Sequence, residues 1–566
     1  MNIAELAIKK SVITWTLTIV LLVVGWVSFN NLARLEDPEF TIKDAIIVTP
    51  YPGASAAEVE EEVSDVIERA VQELGQLKRV QSTSVRGFSQ VKATIKDEYD
   101  AATLPQVWDE LRRKVNDYQN RLPPGAGPSI VNDDFGDVFG MYVVLTGDGY
   151  TMAELYEYAK LLRRELLLVE DVKKVTLWGN HSEVIYVEMS RPKMAALGIS
   201  QDQIFSALSA KNLPVDAGRM ELGTDYIAIN PTGEFISETQ FGELLISSRD
   251  GGGELIFLKD VANIRRGYED PPSQIVRYDG KPGIAIGIST ISGGNVVTMG
   301  EGLQRRFEQL RSQTPVGMEI HAISLQSEAV ITAINGFMVS LLQAVGIVIV
   351  VLMIFMGLRS AAIIGFILVL TIFGTFIFMQ MQGIMLERIS LGALIIALGM
   401  LVDNAIVVID GMQVRIEQGM DRIKAAAEVV SQNAVPLLGA TVVAVLAFAA
   451  IGTSQDSTGE YTRSLYSVIL ISLMLSWVTA VTTTPLLGKI FIKAKPKKEG
   501  KSDDPYAGTL FQGYRKALSF AIRRRWATVG IVVAVFLVSL WGFGYVSQMF
   551  FPSSTRPQFF IDTWMP

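Results

Sequence analysis

The chain has 566 residues, 49% of them hydrophobic, with a net charge of −8, two histidines and no cysteine. Together with a positive mean hydropathy, this bounds it to membrane proteins with a sizeable soluble portion. Disulfides and thiolate metal sites are excluded, the acidic balance argues against nucleic acid as a partner, and no GxxxxGK[ST] phosphate loop is present to power an ATPase. His181 and His321 lie far apart and read as exposed strand or loop residues, not a metal pair.

Residues 12–30 are the first of seven apolar runs long enough to cross a bilayer, which takes about 20 residues. Lys9 and Lys10 precede this run as in a signal peptide, but no small-x-small cleavage site follows, so it reads as a retained anchor. Next comes a mixed α/β region. "AIIVTPYPGAS" is a strand and a Pro-Gly turn, and "SAAEVEEEVSDVIERAVQEL" is an amphipathic helix with Ser55 as N-cap. "VQSTSVRG" and "SQVKATIKD" alternate as strands around Gly87, and "LPQVWDELRRKVNDYQNRL" is a second helix. A strand through "MYVVLT" is expected to close a split β-α-β unit. A second unit starts with a helix at 152–168 and strands near 172–177 and 183–189. Residues 211–264 are turn-rich and β-like, which predicts an inserted hairpin subdomain.

Six more apolar runs follow, at 337–356, 361–381, 391–409, 435–453, 465–487 and 527–546. The segment "KAKPKKEGKSDDP" before the last is a polar, basic linker. Basic residues set the orientation. Lys9, Lys10, Arg415, Arg422, Lys424, Lys489, Lys493, Lys495, Lys497, Lys498, Lys501 and Arg523–Arg525 fall on one side, and the opposite short loops hold only Arg388 and Arg463. This predicts a cytoplasmic N-terminus and a periplasmic stretch from about 31 to 336.

Sliding the chain against itself by 514 residues places Lys9 and Lys10 on Arg523 and Arg524, Phe29 on Phe543, Pro38 on Pro552, Ile47 on Ile561, Thr49 on Thr563 and Pro52 on Pro566. The first run with its basic entry and proline-marked exit recurs as the seventh. Parallel repeats of this kind are related by an axis along the membrane normal. The expectation is the first half of a protein roughly twice as long.

The fourth run, "LGALIIALGMLVDNAIVVI", carries Asp403 with Asn404 beside it. An ionised Asp in hydrocarbon costs at least about 2.5–3.5 kcal/mol, so such residues are rare and usually functional. None of the seven runs contains Lys, Arg or His. Either Asp403 is protonated much of the time, or its cation lies elsewhere. At 100° per residue Gly392, Gly399, Asp403 and Asp410 share a helix face, and glycines there admit a close helix neighbour. Burial disfavours an ionised carboxyl and a nearby cation favours it. A site balanced between the two can load and discharge protons. Asn404 hydrogen-bonds but does not titrate, and Asp410 reads as interfacial.

"GMLVDNAIVVID" resembles the fourth-helix signature of the resistance–nodulation–division (RND) superfamily, in its hydrophobe/amphiphile or multidrug branch. "YPGASAAEVEEEVSDVIERAVQEL" with "VQSTSVRGFSQVKATI" resembles the first porter subdomain, "DVKKVTLWG" a strand leading to the substrate pocket, and "GEYTRSL" and "TAVTTTPLLG" the ends of the sixth helix. The resemblance covers essentially the whole chain. It implies an α-helical membrane bundle of seven helices here and about twelve in the full protein, with an α/β porter domain of split β-α-β subdomains and an inserted docking subdomain. The implied map is the N-terminus and first helix (1–36), porter subdomain 1 (37–135), porter subdomain 2 (136–180 and 271–330), docking subdomain with hairpin (181–270), helices two to six (331–490), linker and amphipathic helix (491–526), helix seven (527–546) and the start of a second repeat (547–566).

By the same resemblance the protein is a homotrimer of the Gram-negative inner membrane, with a periplasmic adaptor and an outer-membrane channel as partners and lipophilic or amphiphilic substrates. No cofactor is implied; the proton is the coupling ion. Asp403 sits where the family has its relay aspartate, whose Lys and Arg partners belong to the other half. Drug pumps often carry a second aspartate where this chain has Asn404, which favours one proton site per protomer. Phe135 and Trp178 fall near pocket aromatics, and the hairpin at 216–230 would reach a neighbouring protomer. The reading is a proton-driven exporter of organic compounds. A metal-ion exporter of the same superfamily and a non-transporting assembly or sensor protein are the rivals. No nucleophile–base set suggests an enzyme.

Overall fold

The computed structural model describes residues 3–134, 137–211, 218–223, 225–228, 235, 237–247, 255–492, 509–546, 561 and 563. They fall into two units, Met1–Ala494 and Lys495–Pro566. The first opens with helix α1 (Ile3–Lys9) and the membrane-length α2 (Ser11–Asn31), which is apolar on all sides, as a lipid-embedded helix is.

Strand β1 (Asp44–Pro50) alternates burial residue by residue, with Ala45 and Ile47 turned inward. The next helix starts where its cap predicts. Ser55 and Glu58 form a capping box at the head of α3 (Ala56–Val59). Helical backbone continues through a π turn, Glu60–Ser64, into α4 (Asp65–Gln72). At the π turn the Ser64 hydroxyl reaches those of Ser84 and Ser89, each at 2.7 Å. Strands β2 (Leu77–Val85) and β3 (Phe88–Ile95) turn on Gly87, whose φ of 77° suits glycine. Helix α5 (Leu104–Asp117) lays Leu104, Val107, Trp108, Leu111 and Val115 on the sheet. The closing strand is β4 (Ile130–Asn132), giving an antiparallel sheet in the order β2-β3-β1-β4. The expectation that "MYVVLT" closes this unit is therefore corrected. That stretch is β5 (Met141–Gly147), buried on both faces at the heart of a second sheet. Its near-continuous apolar run is the mark of a central strand, which the three-residue β4 lacks.

Helix α6 (Met152–Leu166) and β6 (Val172–Trp178) follow. The chain then makes an excursion. Strand β7 (Glu183–Met189), α7 (Arg191–Ala196), α8 (Gln201–Lys211), β8 (Arg219–Leu222), β9 (Asp225–Ala228), α9 (Glu238–Gly242), β10 (Leu245–Ser247), β11 (Leu255–Phe257), α10 (Leu258–Val261) and β12 (Ala262–Tyr268) surround a small core of Ile199, Ile204, Leu244, Ile246, Ile256, Leu258 and Val261. β7 pairs with β12, and β8 with β9 as a hairpin. The region is thus not purely turn and strand, because short helices cap its core. Strands β13 (Arg277–Tyr278) and β14 (Lys281–Thr290), helix α11 (Val296–Leu310) and β15 (Met318–Leu325) complete the second sheet. β14 pairs with β13, β5 and β6, and β15 pairs with β5. His321 on β15 stacks on Tyr278 with ring centroids 4.2 Å apart and meets Thr146 at 2.9 Å. It is a half-buried partner within the sheet, not an exposed residue.

β15 runs directly into α12 (Gln326–Met356). The bundle continues with α13 (Leu358–Met381), α14 (Arg388–Glu417), α15 (Arg422–Ala447), α16 (Ala449–Thr453), α17 (Ser457–Val481) and α18 (Thr483–Phe491). All seven expected spans are helical. The fifth and sixth differ from the single runs expected, since the backbone breaks at Phe448 and at Thr482. Helix α13 is the most enclosed, with its largest contacts to α2, α12 and α17. A Cβ on Gly25 of α2 would lie 2.4 Å from the Phe373 carbonyl oxygen, so the absence of a side chain lets α2 and α13 approach closely.

The second unit holds α19 (Thr509–Arg523) and the membrane-length α20 (Arg525–Phe543). The 514-residue offset carries over into geometry. The Thr14 hydroxyl donates to Ala7 O at 2.9 Å, and the Thr528 hydroxyl to Ala521 O at 3.0 Å. Lys10 N donates to Leu6 O, and Arg524 N to Phe520 O, both at 2.9 Å. Lys10 and Arg524 adopt nearly the same backbone angles, φ −99°, ψ 49° and φ −107°, ψ 51°. The two helix–helix corners are built alike. The proline-marked exit of the second copy lies outside the described residues.

Candidate functional site

The centre of α14 presents two adjacent residues in opposite settings. Asn404 is buried. Its amide donates to the Thr441 hydroxyl of α15 at 3.3 Å and to the Ser476 hydroxyl of α17 at 3.4 Å. Both hydroxyls spend their own protons on backbone carbonyls, Thr441 on Leu437 O at 2.8 Å and Ser476 on Leu401 O at 2.7 Å. They are left as acceptors, which a carboxamide satisfies and an ionised carboxylate would not. Asn404 thereby ties three helices together. Farther along α17, Thr479 meets Thr371 of α13 at 3.2 Å, so a line of small hydroxyl residues runs through the bundle.

Asp403 points to the other side. It is exposed, and among the described residues it has no hydrogen-bonding or ion-pair partner. Ile395, Ile396, Gly399, Val407 and Asp410 share its exposed face. A Cβ built on Gly392 or Gly399 would meet nothing within 4 Å. This stripe is apolar, smooth and open, with one carboxylate near its middle. No helix of the first unit packs on it among the described residues. Asp410 is exposed near the helix end.

Trp178 ends β6 and lies half-buried on the second sheet. Its ring stands edge-on to Phe139 at 4.9 Å and tilted to Tyr142 at 6.2 Å. A Cβ on Gly287 would come within 2.5 Å of the indole, so that glycine makes room for it. Phe135 lies outside the described residues. Phe139 and Tyr142 went unread in the sequence, because only a β6–β14–β5 register brings residues 139, 142 and 178 together. Among the described residues no three His, Asp or Glu side chains group as a metal site would need.

Seven membrane-length helices among the described residues, six of them in the first unit together with its sheets, mark a multi-pass membrane protein. The sequence model of the AcrB/AcrD/AcrF family matches residues 3–565, and the chain belongs to that family of RND transporters. The family is one of transporters, not enzymes. The chain is 24% identical over 565 residues to an uncharacterized transporter of Haemophilus influenzae, covering 99% of this chain and 54% of that protein. It is likewise 24% identical over 560 residues to the multidrug resistance proteins MdtC of Yersinia enterocolitica and Pectobacterium carotovorum, covering 98% of this chain and 54% of each. The chain spans about half the length of the curated relatives it matches.

Proposed function

We propose that the full-length protein is a proton-motive-force-driven exporter of organic, amphiphilic compounds, and that Asp403 is its proton relay. The observation that carries this reading is the contrast on α14. Asn404 is held by two helices, whereas among the described residues Asp403 has no partner on its open apolar stripe. An ionised carboxylate within a membrane span is costly unless paired or protonated. In a full-length protein of the relatives' size, a further helix packing on that stripe would bring the cation that alternates with the proton. Proton uptake would then change how α14 meets that helix and bias the rigid-body states of the bundle. A membrane potential contributes about 2.3 kcal/mol per charge for each 100 mV.

With Asn404 unable to titrate, the reading is one relay carboxylate per protomer. Trp178, with Phe139 and Tyr142 around it, is proposed to line the substrate pocket. The names of the MdtC relatives support an organic cargo over a metal ion. Family membership supports a homotrimer of about twelve helices per protomer. It would sit in the inner membrane with its sheets periplasmic, working with an adaptor and an outer-membrane channel.

The test is Asp403→Asn in the full-length protein, with its cognate adaptor and channel, in a pump-deficient cell at matched membrane levels. Resistance to lipophilic drugs, detergents and dyes is expected in the wild type and lost in the variant, and an uncoupler is expected to stop efflux. Resistance to metal ions alone would move the cargo to the metal branch. Export that survives the substitution or full uncoupling would sink the relay.

A further inference from the structure

A second buried carboxyl sits at the other end of the helix that carries Asp403. Glu387 is the N-cap of α14, sixteen residues from Asp403, or about 24 Å along the axis. Its side chain is 4% exposed and accepts from the Ser390 backbone N–H. Across it runs the strap of residues 32–43, which leads from α2 to β1. The strap is stitched to α14 by Leu386 N to Ala33 O at 2.9 Å, Leu35 N to Leu386 O at 3.1 Å and Arg388 N to Glu36 O at 3.2 Å.

The same strap grips both sheets and α17. Val296 N, at the head of α11, donates to Arg34 O at 3.0 Å. Ser292 Oγ and Gly293 N donate to the Glu39 carboxylate at 2.6 and 3.0 Å. On the first sheet, Ile95 N donates to Lys43 O at 2.8 Å. On α17, Tyr461 OH donates to Asp37 at 3.1 Å, and Glu460 meets Thr41 and Lys43. A tilt of α14 relative to the sheets therefore acts on this joint.

The charges around Glu387 are mostly of its own sign. Asp37 and Glu39 of the strap face it, with Glu36 beside them, and Asp456 and Glu460 lie at the start of α17. Two of the nearby cations are paired with other carboxylates. Arg388 pairs with Glu36 at 2.8 Å and Lys43 with Glu460 at 3.5 Å, while Arg34 lies over the Phe29 ring at 5.7 Å with its buried Nε outside any hydrogen bond to Glu387. Burial, reinforced by Asp37 and Glu39 and only partly offset by the Ser464 hydroxyl, raises the Glu387 carboxyl to about 7.

We propose that Glu387 is a proton-sensing positioning residue: protonated, it keeps the strap seated across α14 and α17, and ionised, it loosens the strap and so couples the relay helix to both sheets. The proton exchanges with water on the sheet side of the membrane. The proposal rests on the transport reading for its purpose, but its chemistry is tested without transport. The sign follows from linkage. An unseated, hydrated Glu387 ionises near its ordinary value, and the seated one only near 7, so raising the pH between these values favours unseating. Opening is then expected to be about tenfold greater at pH 8 than at pH 6.

The experiment is amide hydrogen exchange on the full-length protein in lipid nanodiscs, read at Leu35, Leu386 and Arg388 and corrected for intrinsic rates. The wild type should show the tenfold rise. Glu387→Gln, a neutral isostere that can still cap Ser390, should stay at the low-pH level throughout. Asp37→Asn with Glu39→Gln should move the midpoint to lower pH. Asp403→Asn should keep the wild-type profile even where export is lost. A flat wild-type profile, or an unchanged profile in Glu387→Gln, would overturn the proposal. Export that survives Asp403→Asn would overturn only the relay.

Discussion

Asp403 and Asn404 differ by one atom type and sit side by side, yet the bundle treats them differently. Asn404 faces hydroxyls that can only accept, because each already donates to a carbonyl. Asn404→Asp should therefore set acceptor against acceptor and lower stability by about 1–3 kcal/mol, seen as a lower apparent melting temperature in detergent. An unchanged midpoint would mean that the hydroxyls reorient freely. That an Asp lay in a span was plain from the sequence. Which of the two neighbours turned to the bundle interior was not, since the facing helices α15 and α17 supply the polar partners. Trp178 was legible as a candidate for the same reason that its neighbours were not: its motif is local, whereas Phe139 and Tyr142 reach it only across the sheet.

Among elements, caps and close approaches set the geometry. Ser55→Ala removes one half of the capping box and should cost the first sheet region about 1 kcal/mol, measurable by chemical unfolding or by faster exchange in residues 56–72. Gly25→Val puts a branched side chain against the Phe373 carbonyl and should cost about 1–3 kcal/mol of overpacking. The readout is the level of folded protein in the membrane, and an unaffected level would show that α2 and α13 can part at little cost. The first helix pair was readable from periodicity and capping. The assignment of "MYVVLT" was not, because an apolar strand names its burial but not its sheet.

For the molecule as a whole, the strap of residues 32–43 joins what the chain separates: α14, α17 and two sheets drawn from distant stretches. The 514-residue offset, read first in the sequence, also holds for the corners α1–α2 and α19–α20. Since the relatives are about twice as long and Asp403 faces an open stripe, residues 1–566 alone are expected not to move a dye in response to a proton gradient in vesicles, whereas the full-length protein should. Proton-coupled transport by the shorter chain would show that Asp403 needs no further partner.

The sequence by itself determined the seven membrane-length helices of the described residues, the carboxylate at the centre of the fourth, the matched helix corners and the family. Each is carried by local composition or by residues close together along the chain, where hydrophobic length and motif spacing act directly. The tertiary structure decided that Asn404 is clamped while Asp403 stands open, that Trp178 has two aromatic neighbours, and that Glu387 is buried among like charges. Those settings are made by side chains tens to hundreds of residues apart in the chain, and only the packing of helices and the register of strands brings them together.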